Sequence, residues 1–131
     1  MDKFIGTWKL VSSENFDHFM DRVGVEHEKK TFAHDAQPIL KISQKGDKVV
    51  FLIESIVGAH KYSFKLSEEF QNKSQDGRSW KSVVNLEGDK LIEMLTWDKV
   101  ELTVVHEIKD KKLFKTFKVH DAVAVRIFER V

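Results

Sequence analysis

The chain has 131 residues, a length that suits one domain able to bury roughly two thirds of its unfolded surface without covalent staples. It contains no cysteine, which excludes disulfides, a thiolate nucleophile and a cysteine-ligated metal, and its 22 Lys plus Arg against 21 Asp plus Glu leave no general attraction for nucleic acid. The opening MDKFIGTWKL carries charges where a secretory leader needs an apolar run, and no stretch reaches transmembrane length, so an intracellular, cytoplasmic protein is expected.

In chain order, a first strand is expected over residues 6–11. Ser13 can then cap a short amphipathic helix whose apolar face is Phe16, Phe19, Met20 and Val23, ended by Gly24. A second helix over about residues 26–35 stops at Pro38, giving a helix-turn-helix pair. From Pro38 onward the apolar period changes from about 3.6 to 2. Strands are expected at 39–43, 48–55, 60–66, 69–72, 79–86, 90–97, 100–108, 112–119 and 122–130. Short turn-competent stretches separate them, among them Lys45-Gly46-Asp47, Gly58-Ala59, Glu87-Gly88-Asp89 and Asp110-Lys111. Ten short strands joined by hairpins argue for an all-β fold, an antiparallel up-and-down meander closed as a barrel. Ten strands make a barrel wider than side chains alone fill, so a ligand cavity is expected.

Within these strands a few charges sit on apolar faces. In 100–108 the even positions Leu102, Val104 and His106 share one face; in 112–119 Leu113, Lys115, Phe117 and Val119 do. Both parities of the last strand are apolar, and Arg126 shares its side with Ala122, Ala124 and Phe128. Periodicity does not say which face points inward. A guanidinium in an apolar strand demands an anionic or hydrogen-bonding partner, either a ligand or an internal carboxylate such as Asp76. Lys115 either faces the interior or snorkels outward at a bulge. The six histidines lack metal-ligand spacing, and no HExxH, GxSxG, P-loop or dinucleotide fingerprint is present. The reading is a non-enzyme without cofactor or metal.

The segment FIGTWKLVSSENFDHFM, residues 4–20, resembles the opening signature of the intracellular lipid-binding, or fatty-acid-binding protein, family. The likeness is collinear through Val23-Gly24-Val25, Gln37-Pro38, ISQKGD, SFKLSEEF, Asp76, Arg78, LTWD, VHEIKDKKL and VRIFER. It implies a single ten-stranded clam capped by the helix pair, with a long-chain fatty acid or related lipid inside. In many members two arginines and a tyrosine hold the lipid carboxylate. Arg126 matches the second arginine, whereas His106 and Phe128 stand at the other two positions, and Leu95 replaces a usual glutamine. Lys115 falls where an inward apolar residue is common. The resemblance thus implies Arg126, His106, Phe128 and Lys115 at the head group. Phe16, Met20, Val25, Pro38, Asp76, Leu95, Val104 and Phe117 are then expected around the ligand. The implied function is an intracellular, monomeric lipid carrier. A rival reading makes it an adaptor that delivers lipid to a nuclear receptor, or a peripheral membrane protein, acting through Arg22, Lys29 and Lys30 on the helix pair.

Overall fold

A computed structural model describes residues 2–16, 18, 19, 38–55, 58–73, 79–97, 100–119 and 122–131. After a 3-10 turn at Asp2–Phe4 come ten strands: β1 (Gly6–Glu14), β2 (Ile39–Lys45), β3 (Lys48–Ser55), β4 (Gly58–Lys65), β5 (Phe70–Lys73), β6 (Ser79–Glu87), β7 (Lys90–Trp97), β8 (Val100–Lys109), β9 (Lys112–Val119) and β10 (Ala122–Arg130). They form one antiparallel sheet in the order β4-β3-β2-β1-β10-β9-β8-β7-β6-β5. Each strand pairs with its chain neighbour, except that β1 pairs with β10 and β4 does not pair with β5. The alternation read from the sequence explains the meander. One face of each strand is apolar, and short turns such as those at Gly46 (φ 63°) and Gly88 (φ 61°) suit the left-handed backbone that tight hairpins require.

The strand bounds follow the expected ones closely, and β3, β7, β9 and β10 match them residue for residue. Two local expectations are corrected. Gly58-Ala59 is no turn; it opens β4, where Gly58 pairs with Ser55 and Ala59 with Glu54. Ser13 is no helix cap; it lies in β1, which runs on to Glu14, and pairs with Arg126. A register shift between Leu10 and Ser12 marks a bulge at Val11, which stands 45% exposed. Without it, the parity of Trp8 and Leu10 would point Ser12 inward; the extra residue hands that side to Ser13. Asn15, in the left-handed region at φ 59°, turns the chain away from β1, and its carbonyl accepts from the Phe19 amide at 2.9 Å. Residues 16, 18 and 19 are helical. The rest of the expected helix pair, including Met20, Val25, Arg22, Lys29 and Lys30, lies outside the described residues, as does Asp76.

The interior divides into two apolar clusters. One gathers Phe4, Trp8, Leu40, Ile42, Phe51, Leu91, Leu113 and Phe128. The other joins Leu95, Leu102, Val104, Val119, Ala122 and Ala124 to Phe19, with Phe16 and Phe117 packed against it. A polar row separates them.

Candidate functional site

The inward faces left open by periodicity are now assigned. In β8 the even positions are buried; in β9 the odd ones; in β10 the side holding Ala122, Ala124, Arg126 and Phe128. Registers then place Ser13, Arg126, Lys115, His106 and Leu91 side by side on β1, β10, β9, β8 and β7. Cross-strand neighbours on one face lie about 5 Å apart, so this row brings two cations and an imidazole together on the inner wall. Pairing of β9 with β8 and with β10 runs without a register shift, and Lys115 is 9% exposed; it faces the interior rather than snorkelling out.

Arg126 is held from two sides. Its Nε donates to Ser13 Oγ at 3.0 Å, and its Cζ stands 3.8 Å from the centroid of the Phe16 ring. Stacking covers a face of the guanidinium. Burial lowers its pKa to about 10, still high enough to keep it charged at neutral pH. Phe16 in turn stacks on Phe19 (5.6 Å) and meets Phe117 edge-on (5.5 Å), tying the start of the helix to β9.

Lys115 Nζ lies 5.5 Å from the Phe117 ring centroid. Burial lowers its pKa to about 8; the Glu93 carboxyl opposes that shift and Arg126 adds to it. His106 is fully buried, edge-on to Phe51 at 5.6 Å. Its Nδ1 lies 3.1 Å from the Leu91 carbonyl. A carbonyl only accepts, so Nδ1 carries the proton, and Nε2 is left as a buried lone pair without a hydrogen-bond partner among the described residues. Burial and then Lys115 push the imidazole down to about 3, so it is neutral at physiological pH.

Sequence reasoning missed four members of this polar wall, Ser13 among them. Glu93 is 4% exposed on β7, one row from His106. Burial raises its pKa, with Lys115 acting the other way. Tyr62, from β4, has its phenol pushed up by burial and then by Glu93. Ser82 on β6 is 1% exposed. The alternation of Leu91, Glu93 and Leu95 in the seventh strand was a signal for Glu93, since both flanking residues are apolar. Ser13 was hidden by the bulge, which no local residue announces.

Pro38, Leu40, Ile53, Lys115, Phe117, Arg126 and Phe128 enclose a cavity of about 60 Å³. That is about the share of two waters in the liquid, a size suited to polar head-group atoms. Five expected site residues thus surround one space. Phe16 reaches it through Arg126, and His106 adjoins it through Lys115, whereas Leu95 and Val104 belong to the apolar cluster toward the helix. Among the described residues no group of three His, Asp or Glu side chains could hold a metal.

Comparison with known proteins gives a consistent result. The profile of the lipocalin / cytosolic fatty-acid binding protein family matches residues 5–131. Human fatty acid-binding protein 9 is 37% identical over 131 residues, spanning all of this chain and 99% of that protein. The structure of the Schistosoma mansoni fatty acid binding protein in complex with arachidonic acid aligns with a TM-score of 0.95 at 33% identity, covering 100% of this chain and 98% of that one. Wild-type fluorescent protein UnaG aligns with a TM-score of 0.93 at 42% identity, over 99% and 98% of the two chains.

Proposed function

This chain belongs to the lipocalin / cytosolic fatty-acid binding protein family, and on that premise we propose that it is an intracellular carrier of long-chain fatty acids or closely related lipids. The observation that carries this reading is the placement of two buried cations, Arg126 and Lys115, around one head-sized cavity inside an apolar barrel. Arg126 stays charged at neutral pH, so the wall offers a fixed positive charge that one carboxylate neutralises. The Schistosoma relative, which binds arachidonic acid, supports the same ligand class. Affinity comes chiefly from the tail: about fourteen methylenes at roughly 0.8 kcal/mol each give on the order of 11 kcal/mol before entropic costs. A charge-assisted hydrogen bond adds about 1.5–3 kcal/mol, so the head group orients more than it holds.

In this reading Arg126 and Lys115 engage the carboxylate, while Phe128, Pro38 and Phe117 wall the space around it. His106, neutral at physiological pH, adds no charge beside Lys115. Phe16 holds the guanidinium in place from the helix, and Leu95 and Val104 line the path of the tail. The protein acts as a monomer without catalysis, in the cytosol, and meets membranes transiently. Displacement of a fluorescent fatty acid by oleate tests the reading, with native mass spectrometry of freshly purified protein as a second readout. Arg126→Leu is expected to weaken oleate binding by roughly ten- to a hundredfold, the worth of one charge-assisted bond. Unchanged affinity would remove Arg126 from the head-group role; no displacement by any fatty acid would defeat the carrier reading itself.

A further inference from the structure

Lys115 has a feature that carboxylate binding does not require. Its ε-amine lines the cavity, is 9% exposed, and makes no ion pair with a carboxylate among the described residues. Burial and the neighbouring Arg126 disfavour a proton on the amine, and the Glu93 carboxyl only partly offsets them. Arg126 is its cross-strand neighbour on β10, a fixed cation; His106 is its neighbour on β8, neutral and already committed through Nδ1 to Leu91. Glu93, the one nearby carboxyl among the described residues, lies a row away on β7 and is itself buried. Apolar walls from Phe117, Leu40, Ile53 and Phe128 complete the pocket. A desolvated lysine beside another cation is the environment that turns an ammonium into a nucleophilic amine.

We propose that Lys115 is a covalent capture site for long-chain aldehydes, which the barrel takes up by the same tail contacts as fatty acids. The step balances without an oxidant or reductant. The nitrogen lone pair adds to the carbonyl carbon, and the carbonyl oxygen takes a proton to give a carbinolamine. That hydroxyl then leaves as water with the second amine proton, and a C=N bond remains. The Arg126 charge polarises the carbonyl oxygen during addition, and the Glu93 carboxyl, whose pKa is raised by burial, is placed on the same wall as a proton donor for loss of water. A pKa of about 8 in place of 10.5 makes the neutral amine fraction at neutral pH roughly 300-fold larger than that of an ordinary lysine. The apolar walls of the pocket also slow hydrolysis of the imine. This inference rests on the carrier reading for its tail-binding cavity, yet it concerns a different ligand class and a different chemical outcome.

The test incubates the protein with hexadecanal, reduces the imine with cyanoborohydride, and maps the modified lysine by peptide mass spectrometry. Propanal serves as a control that reports surface lysines. Expected is a hexadecanal adduct concentrated on Lys115, at least about tenfold above any other lysine. It should be suppressed by excess palmitate and form at a rate that rises through pH 8 rather than only above pH 10. Lys115→Arg, which keeps the charge, should abolish that adduct. Label spread over surface lysines as with propanal, or an adduct insensitive to palmitate, would overturn the inference. If palmitate still displaces a fluorescent fatty acid in that case, only the covalent reading falls; if it does not, the carrier reading falls with it. The palmitate competition and the pH profile use the unaltered protein, so a variant that failed to fold would leave the test intact.

Discussion

At the scale of single residues, His106 shows how a barrel wall changes the meaning of a side chain. In an unfolded chain a histidine gains its proton near pH 6.5; here burial and Lys115 hold it neutral down to about 3. Between those values the unfolded state binds the extra proton and the folded state does not. Folding stability therefore falls as pH drops through that window, and the contribution is intact above about 6.5. The effect is a few kcal/mol at most, because each tenfold change in proton affinity is worth about 1.4 kcal/mol. Urea denaturation of wild type and His106→Leu at pH 7 and pH 4 measures it. The wild type is expected to lose more stability than the variant between the two pH values, and equal losses would mean that His106 protonates freely in the folded protein. Glu93, whose pKa is shifted upward, acts with the opposite sign in acid, which is why the comparison is made between variants rather than read from one curve.

At the scale of elements, β1 decides the geometry of the site. Its two ends are fixed by different means. At the start, Gly6 adopts φ 144°, and a Cβ built there would collide with the Arg130 guanidinium. That guanidinium lies over Trp8, with its Cζ 4.3 Å from the ring centroid, and donates to the carbonyls of Ile5 (2.8 Å) and Lys3 (2.9 Å), fastening β10 to the entry of β1. Gly6→Ala combines backbone strain with displacement of this clamp, and is expected to cost about 1–3 kcal/mol, read as a lower thermal midpoint. Because the clamp is distant from Arg126 along both strands, fatty-acid affinity of the folded variant should stay close to that of the wild type. At the other end, the Val11 bulge turns Ser13 onto the Arg126 side. Strand existence and length were legible from alternation, but this one-residue change of face was not. A bulge reflects what the neighbouring strands demand rather than a local propensity.

At the scale of the whole molecule, the sheet closes on itself everywhere except between β4 and β5, which share no backbone pairing. Aromatic side chains span that gap. Phe70 of β5 stacks on Phe64 of β4 at 5.2 Å and on Tyr62 at 6.2 Å. Side-chain contacts leave the facing amides without ladder partners, so this is where local opening should be easiest. Hydrogen exchange is expected to be faster at the facing edges of β4 and β5 than in β8, β9 and β10, each of which is paired on both sides. Bound fatty acid should slow exchange across the barrel through its preference for the folded state. Uniform protection in the ligand-free protein would argue against the gap as the weak seam.

The amino-acid sequence by itself determined the strand count, the hairpin order, the apolar character of the faces and, through a collinear resemblance, the family. Those properties follow from periodicity, turn residues and segment signatures, all of which are local. Only the tertiary structure decided that Lys115 faces inward, that Ser13 and Phe16 hold Arg126 between them, and that Glu93, Ser82 and Tyr62 join the polar wall. Each of those facts depends on register between strands distant in sequence, such as Ser13 opposite Arg126. A period of two says that alternate residues share a face, and closure of the barrel is what turns one of the two faces into an interior.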